Sequence, residues 1–209
     1  MPRIRTVASA RHTDVTLDDI LISDQLALRR SSGDRLKSEI SALNELAQEL
    51  VRTPQAIMDR LVELALTLCE GESGGISLFE EQGGEQVFRW HALKGRFAPF
   101  TGTTIPRHFS PCGVVVDRLK PILVKEPERL YPYLALDDAP IGEGLWAPLV
   151  GLGGIAVGTL WIMTHDSDRH FTQEDCDTLL RIAAFGDDFL EAAHGKSYRA
   201  YCGRVRRWL

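Results

Sequence analysis

The segment from Leu145 to Thr164 constrains the fold most strongly. Two apolar runs, Leu145 to Val150 and Ile155 to Thr164, flank Gly151-Leu152-Gly153-Gly154. A glycine-rich turn between two such runs is a β-hairpin signal. In the first run Leu145, Ala147 and Leu149 alternate with Trp146, Pro148 and Val150. In the second, Val157, Thr159, Trp161 and Met163 share a face, the period-two pattern of a strand. A second hairpin precedes it: Ile76 to Phe79 and Gln86 to Leu93 enclose Gly83-Gly84. There Phe88, Trp90 and Ala92 share one face and Val87, Arg89 and His91 the other. Pro121 to Val124 reads as an edge strand, because a proline begins it.

The strands are bracketed by helices. Asp34 to Val51 carries Leu36, Ile40, Leu43, Leu46, Ala47 and Leu50 on one stripe. Thr53-Pro54 restarts a helix with Ile57, Leu61, Leu64, Ala65 and Leu68 on one face, ending at Gly71. Thr172, with Asp175 three residues on, caps a closing helix that reaches His194 and carries Cys176, Leu179, Leu180, Ile182 and Ala183. A less regular helix is expected over 16–30. The connections between strands are hairpins or irregular loops, not β–α–β crossovers. The expectation is an α+β fold: an antiparallel sheet with helices on one face and the loops 94–110 and 125–142 on the other.

The chain has 209 residues and a net charge of −5. This balance gives no reason to expect a nucleic acid or an anionic membrane as partner, and the short basic run Arg204 to Arg207 reads as a solvated tail. No apolar run of membrane-spanning length and no signal-peptide pattern is present, so a cytoplasmic location is expected. Four cysteines, at 69, 112, 176 and 202, lack zinc-ligand spacing, and no metal site is expected. Cys69 and Cys176 fall on apolar helical faces and read as core residues.

The chemically densest stretch runs from Arg107 to Leu119. Ser110-Pro111 marks a helix start, with Ser as cap and Pro in the first position. Cys112 then lies in the first helical turn, where the helix N-terminus and Arg107 would lower its pKa if it is reactive. Arg107, Ser110 and the first-turn N–H groups would suit an anion. His165-Asp166 follows a strand directly and reads as a turn.

Several of these runs together resemble GAF domains, the sensory modules of bacterial signalling proteins, and most closely the variety found in proteobacterial and cyanobacterial sensor histidine kinases. The residues that carry the resemblance are Gly75-Ile76-Ser77-Leu78, Val87-Phe88-Arg89-Trp90, Pro106-Arg107 with Phe109 to Gly113, Glu143 to Pro148, Gly158 to Ile162 with His165-Asp166, and Arg169 to Asp175. The resemblance covers about residues 35–193. It implies a GAF/PAS-like central antiparallel sheet of five or six strands in the order 2-1-5-4-3. It also implies a ligand held between the sheet and the loops around the short helix. The Asn-Lys-x-x-x-Phe-Asp signature of cyclic-nucleotide-binding relatives is absent. Cys112 is followed by Gly113 and not by the histidine of bilin-attaching relatives, so no covalent chromophore is expected.

The resulting expectation divides the chain into an N-terminal extension, partly helical, over 1–33, a GAF domain over 34–195, and a tail over 196–209. The function expected is a non-catalytic sensory module that binds an unidentified small molecule. Its cofactor is not defined by the sequence. Trp90, Arg107, His108, Ser110, Cys112, Tyr131 and Trp161 are the candidate contacts. Helices 34–51 and 172–194 would lie side by side and form a homodimer, reporting to a separate histidine kinase or response regulator. Two alternatives remain: a thiol reductase of the methionine sulfoxide type using Cys112, and a ligand-free interaction domain. The reductase chemistry needs a second thiol to meet a sulfenic acid, and the next cysteine in the chain is Cys176.

Overall fold

A computed structural model describes residues 14–29, 39–44, 57–136, 140–151 and 154–185. The helical elements are α1 (Leu17–Ile20), α2 (39–44), α3 (Ile57–Cys69), α4 (Pro111–Arg118) and α5 (173–185). The strands are β1 (Ser73–Gln82), β2 (Glu85–Lys94), β3 (Thr104–Pro106), β4 (Ile122–Lys125), β5 (Glu143–Gly151) and β6 (Ile155–Thr164). They form one antiparallel sheet in the order β3-β2-β1-β6-β5-β4. The five strands expected from the sequence are β1, β2, β4, β5 and β6, and they hold the expected order. The sixth, β3, pairs with Val87–Arg89 inside what the sequence reads as loop; three residues are too few to show a periodic pattern.

Hydrophobic residues on the two faces form two separate cores. The helix-side core joins Ile57, Leu61, Val62, Ala65 and Cys69 of α3 and Cys176, Leu179, Ile182 and Ala183 of α5 to the sheet through Ile76, Leu145, Ala147, Leu149, Leu160 and Ile162. The loop-side core gathers Phe79, Phe88, Trp90, Trp146, Trp161 and Met163 under α4 and the loop residues Phe97, Phe100, Tyr131, Tyr133 and Leu134.

Two bulges correct the expected alternation. The β1–β2 register pairs Ile76 with Ala92 and then Ser77 with Trp90, so His91 is an extra residue. Past an extra residue the side chains change faces. Ala92 therefore joins the helix-side core, while Phe88 and Trp90 stay on the loop side. In the long hairpin Leu149 pairs with Gly158 and Val150 with Ala156, which leaves Val157 extra. Val157 turns to the helix side, away from Trp161 and Met163.

The segment 14–29 is not the single helix expected over 16–30. It forms the one-turn α1, closed by reciprocal bonds between Thr16 and Asp19, then a 3₁₀ stretch, Ser23–Leu28. Between them the chain pairs with the sheet edge: Leu21 bridges Val124, the Ile22 N–H donates to the Leu123 carbonyl, and the Leu123 N–H donates to the Ser23 hydroxyl. This covers the exposed edge of β4, where unpaired backbone groups would otherwise recruit another strand. Ile20 enters the loop-side core and Leu26 the helix-side core, so the strap is wedged around the edge. Its far end is tied by Arg29, whose guanidinium grips the buried Glu143 carboxylate at 2.7 and 2.8 Å and the Phe171 carbonyl at 2.6 Å.

Helices α2 and α5 do lie side by side. The buried Glu39 accepts from Thr178 at 3.0 Å and from Nη2 of Arg181 at 2.8 Å, with Nε of Arg181 on its other oxygen. Glu39 thereby takes an inward position. Ile40, expected on the inward stripe, is 52 % exposed, while Leu43 packs on the helix-side core. The rest of the 34–51 helix, the end of the closing helix at His194, Cys202 and the basic tail lie outside the described residues.

Candidate functional site

Helix α4 begins as the sequence dictates. Ser110 is the N-cap, Pro111 follows in the first helical position, and the Ser110 hydroxyl accepts the Cys112 N–H at 3.1 Å. Gly113 is required for close approach: a Cβ there would stand 2.2 Å from the Arg107 carbonyl oxygen. The turn Arg107–Phe109 can thus lie directly on the helix. The helix N-terminus points into the loop-side core, not to solvent, since Ser110, Pro111 and Cys112 are all buried.

Four small polar groups line this core. The Trp161 indole N–H donates to the Ser77 hydroxyl at 2.9 Å, and the Thr159 hydroxyl donates to the Cys112 sulfur at 3.2 Å. Ser77, Thr159, Ser110 and Cys112 are all buried, the first two completely. Around them the rings touch in sequence. Trp90 stands 5.9 Å from Phe97, 5.9 Å from Trp161 and 6.3 Å from Tyr133, centroid to centroid. Phe109 meets both Tyr131 and Tyr133 at 5.8 Å. Such edge and tilted pairs are the favoured aromatic geometries. On the outer side Phe97 stacks on His165, whose ring nitrogens meet the Ser73 hydroxyl and the Pro140 carbonyl.

The electrostatics follow from this burial. Burial pushes the Cys112 thiol above its ordinary value, and the hydroxyls of Ser110, Thr159 and Ser77 oppose this only in part. The lowering by a helix N-terminus and Arg107 considered from the sequence is therefore outweighed by desolvation. The phenol of Tyr131 is pushed up to about 12 by burial, with Cys112 adding to it. That of Tyr133 is pushed well above its ordinary range by the same two causes. Glu128, at the neck of the loop bearing both tyrosines, is also raised by burial; its Oε1 accepts the Ile141 N–H at 3.0 Å while Oε2 is buried with no partner.

The seven candidate residues thus fall into two places. Trp90, Ser110, Cys112, Tyr131 and Trp161 meet in the loop-side core. Arg107 and His108 lie outside it, on a cleft of about 280 Å³ with Glu85, Gln86 and Pro106. Arg107 turns from the helix N-terminus to Asp117 and lies 5.8 Å over the Phe79 ring. Tyr133, of the same Pro-bearing loop as Tyr131, joins this face, and Trp146, Ser77 and Thr159 complete it without having been singled out. For Ser77 and Thr159 the available signal was a hydroxyl alternating with large apolar residues in a strand, which marks a polar group facing a core. Cys69 and Cys176 sit in the helix-side core, and burial with Asp177 and Asp175 pushes the Cys176 thiol up to about 12. His165-Asp166 is a turn, as expected: Asp166 accepts the Asp168 N–H, and the Glu72 carboxylate takes the N–H groups of His165 and Asp166. Among the described residues no cluster of three or more His, Cys, Asp or Glu is placed to hold a metal. No described helix is long and apolar enough to cross a membrane.

The fold recurs in solved structures. The GAF domain of a phosphoenolpyruvate-protein phosphotransferase (ptsP) from Coxiella burnetii superposes with a TM-score of 0.64 at 17% identity, over 79% of this chain and 99% of that one. The GAF-B domain of DevS from Mycobacterium smegmatis gives a TM-score of 0.54 at 18% identity, over 70% and 98%. The free methionine-R-sulfoxide reductase from Neisseria meningitidis gives 0.61 at 15% identity, over 81% and 98%. No curated protein matches the sequence. The family profile of the GAF domain matches residues 53–185. With that match over more than half its length, and with the sheet order and loop-covered face described above, this chain belongs to the GAF domain family.

Proposed function

We propose that this chain is a non-catalytic sensory module of bacterial signal transduction that works in the cytoplasm and binds a small molecule on the loop side of its sheet. The observation that carries the reading is the set of buried polar groups, Ser77, Ser110, Cys112 and Thr159, set among the rings of Trp90, Trp161, Tyr131 and Tyr133. A mostly apolar wall with a few fixed polar groups is the chemistry of a small-molecule site. The backbone bonds of 126–135 close within that loop, apart from the Glu126 N–H to the Gly142 carbonyl at its base, so a ligand can replace the tyrosines as the inner wall without breaking a ladder. Arg107 and His108 would meet only a ligand that extends outward.

The thiol geometry supports a binding role over a reductase. Cys112 is buried with its thiol favoured over the thiolate, and Cys69 and Cys176 lie across the sheet from it. A sulfenic acid at Cys112 would meet neither of them. Output through the helices is supported by the Glu39–Arg181 tie and by the exposure of Ile40 on α2. A homodimer formed there would pass helix movement to a separate histidine kinase or response regulator. Light scattering that finds a monomer at tens of micromolar overturns the dimer.

Native mass spectrometry of the purified full chain tests ligand binding. A retained small molecule, lost on Ser77→Ala or Tyr133→Ala, is the expected result. A second reading, a domain that acts by protein contact alone, is favoured by the ring-to-ring packing; an adduct-free spectrum together with a ligand-independent dimer would establish it. Thiol-dependent reduction of free methionine sulfoxide that disappears in Cys112→Ser would replace both with the reductase.

A further inference from the structure

The cleft at the end of the β2–β3 pair belongs to neither core. The ladder stops at the Val87–Pro106 pair. Just past it the two chains separate, with Glu85 and Gln86 on one wall and Arg107 and His108 on the other. The Arg107 guanidinium is fixed from two sides, by the ion pair from Nη2 to Asp117 and by the Phe79 ring beneath it. Its backbone is fixed as well, because its carbonyl fills the space a side chain at position 113 would need. Its Nε is buried without a hydrogen-bond partner. Closed to solvent, that nitrogen is out of a ligand's reach, and Arg107 meets the cleft through the exposed part of its side chain, 23 % of it. His108 and Glu85 are exposed and make no side-chain hydrogen bond or ion pair among the described residues. One wall therefore offers spare donors and the other a spare carboxylate.

The charge balance selects the ligand. A simple anion gains from Arg107 but meets the Glu85 carboxylate, and Asp117 already offsets the arginine. A simple cation gains from Glu85 but meets Arg107. A molecule carrying both charges satisfies both walls. We propose that this cleft binds a small zwitterion, its carboxylate on Arg107 and His108 and its ammonium on Glu85. About 280 Å³ corresponds to roughly nine water volumes, enough for a ligand of about ten non-hydrogen atoms. Arg107 is immobilised before binding, so less side-chain entropy is lost when the ligand arrives. The site is separate from the loop-side core and does not depend on whether that core takes a ligand.

The test is an amide-shift NMR titration of the full chain at fixed ionic strength, with glycine, β-alanine, sodium acetate and methylammonium chloride as probes. Saturable shifts at Gln86, Arg107 and His108 are expected with glycine or β-alanine, and at least ten-fold weaker responses with acetate and methylammonium. Arg107→Gln removes the zwitterion response. Because that change also frees Asp117 and uncovers Phe79, Glu85→Gln serves as the second variant: it alters one exposed group and is expected to weaken the zwitterion response about ten-fold while leaving acetate unchanged or improved. Equal responses to acetate and glycine, zwitterion shifts that do not saturate, or a full zwitterion response in Glu85→Gln each overturn the proposal.

Discussion

The two faces of the sheet differ in what seals them. The helix side is closed by α3 and α5, long amphipathic elements whose interior backbone groups are paired within the helix, and its filling is mostly aliphatic, with Phe171 among it. The loop side is closed by an eight-residue helix and short 3₁₀ turns, and its filling is aromatic with hydroxyls and a thiol among the rings. Helices dock as rigid bodies, and a large repeating contact surface holds them. Loops dock residue by residue, and each anchor is a separate bond. The same sheet thus carries one face suited to holding the fold and one suited to local opening.

Matched truncations would break or sharpen this contrast. Leu160→Ala on the helix side removes a fully buried aliphatic group. It is expected to cost about 2–5 kcal/mol of global stability, read from the denaturation midpoint, with no selective loss of protection in the loops. Trp161→Phe on the loop side keeps most of the volume but leaves the Ser77 hydroxyl buried without its donor. A loss of about 1–3 kcal/mol is expected, with part of it recovered in the Trp161→Phe/Ser77→Ala double variant. If the double variant recovers nothing, the bond is incidental to packing. Ser110→Ala removes the cap of α4 and should cost about 1 kcal/mol, concentrated in hydrogen exchange of 107–118 and not in global unfolding.

The smallest effects concern pH, and they have opposite signs at two anchors. Burial alone would raise the pKa of Glu143, but Arg29, the Phe171 N–H and His170 outweigh it and hold the carboxyl below its ordinary value. Its contribution is therefore complete above the ordinary glutamate range and is lost as pH falls through the depressed value. The strap 14–29 should lose protection in acid, once the intrinsic pH dependence of amide exchange is divided out. Glu128 is raised by burial, so its protonated form belongs to the closed loop. Its contribution is present in acid and is lost as pH rises from the ordinary value through the raised one. Protection in 127–136, with the intrinsic pH dependence of amide exchange divided out, should fall a few-fold on going from acid toward neutral pH, and Glu128→Gln should flatten that profile. An unchanged profile in the variant would overturn the role given to this carboxyl.

Much of this architecture is legible in the chain itself. The long hairpin at 145–164, the edge strand at 121–124, the Ser110 cap and the Thr172–Asp175 capping box each follow from a short-range rule, and each is found, the edge strand one residue later at Ile122–Lys125. Local propensity and alternation carry that much because their causes lie within a few residues. The bulges at His91 and Val157 do not announce themselves, since an extra residue is defined only against the partner strand. The inward Glu39 depends on Arg181, 142 positions away. The candidate site shows the same division. Residue types nominated Trp90, Ser110, Cys112, Tyr131 and Trp161, and the sheet order brought them together. Arg107 and His108, adjacent in sequence to Ser110, went elsewhere because the turn lies on Gly113 and aims them outward. The sequence by itself determined which elements form and which residues are capable of chemistry. Only the tertiary structure decided which of them share a surface and whether the Cys112 thiol is exposed or desolvated, because burial and pairing are properties of contacts between distant segments and have no local code.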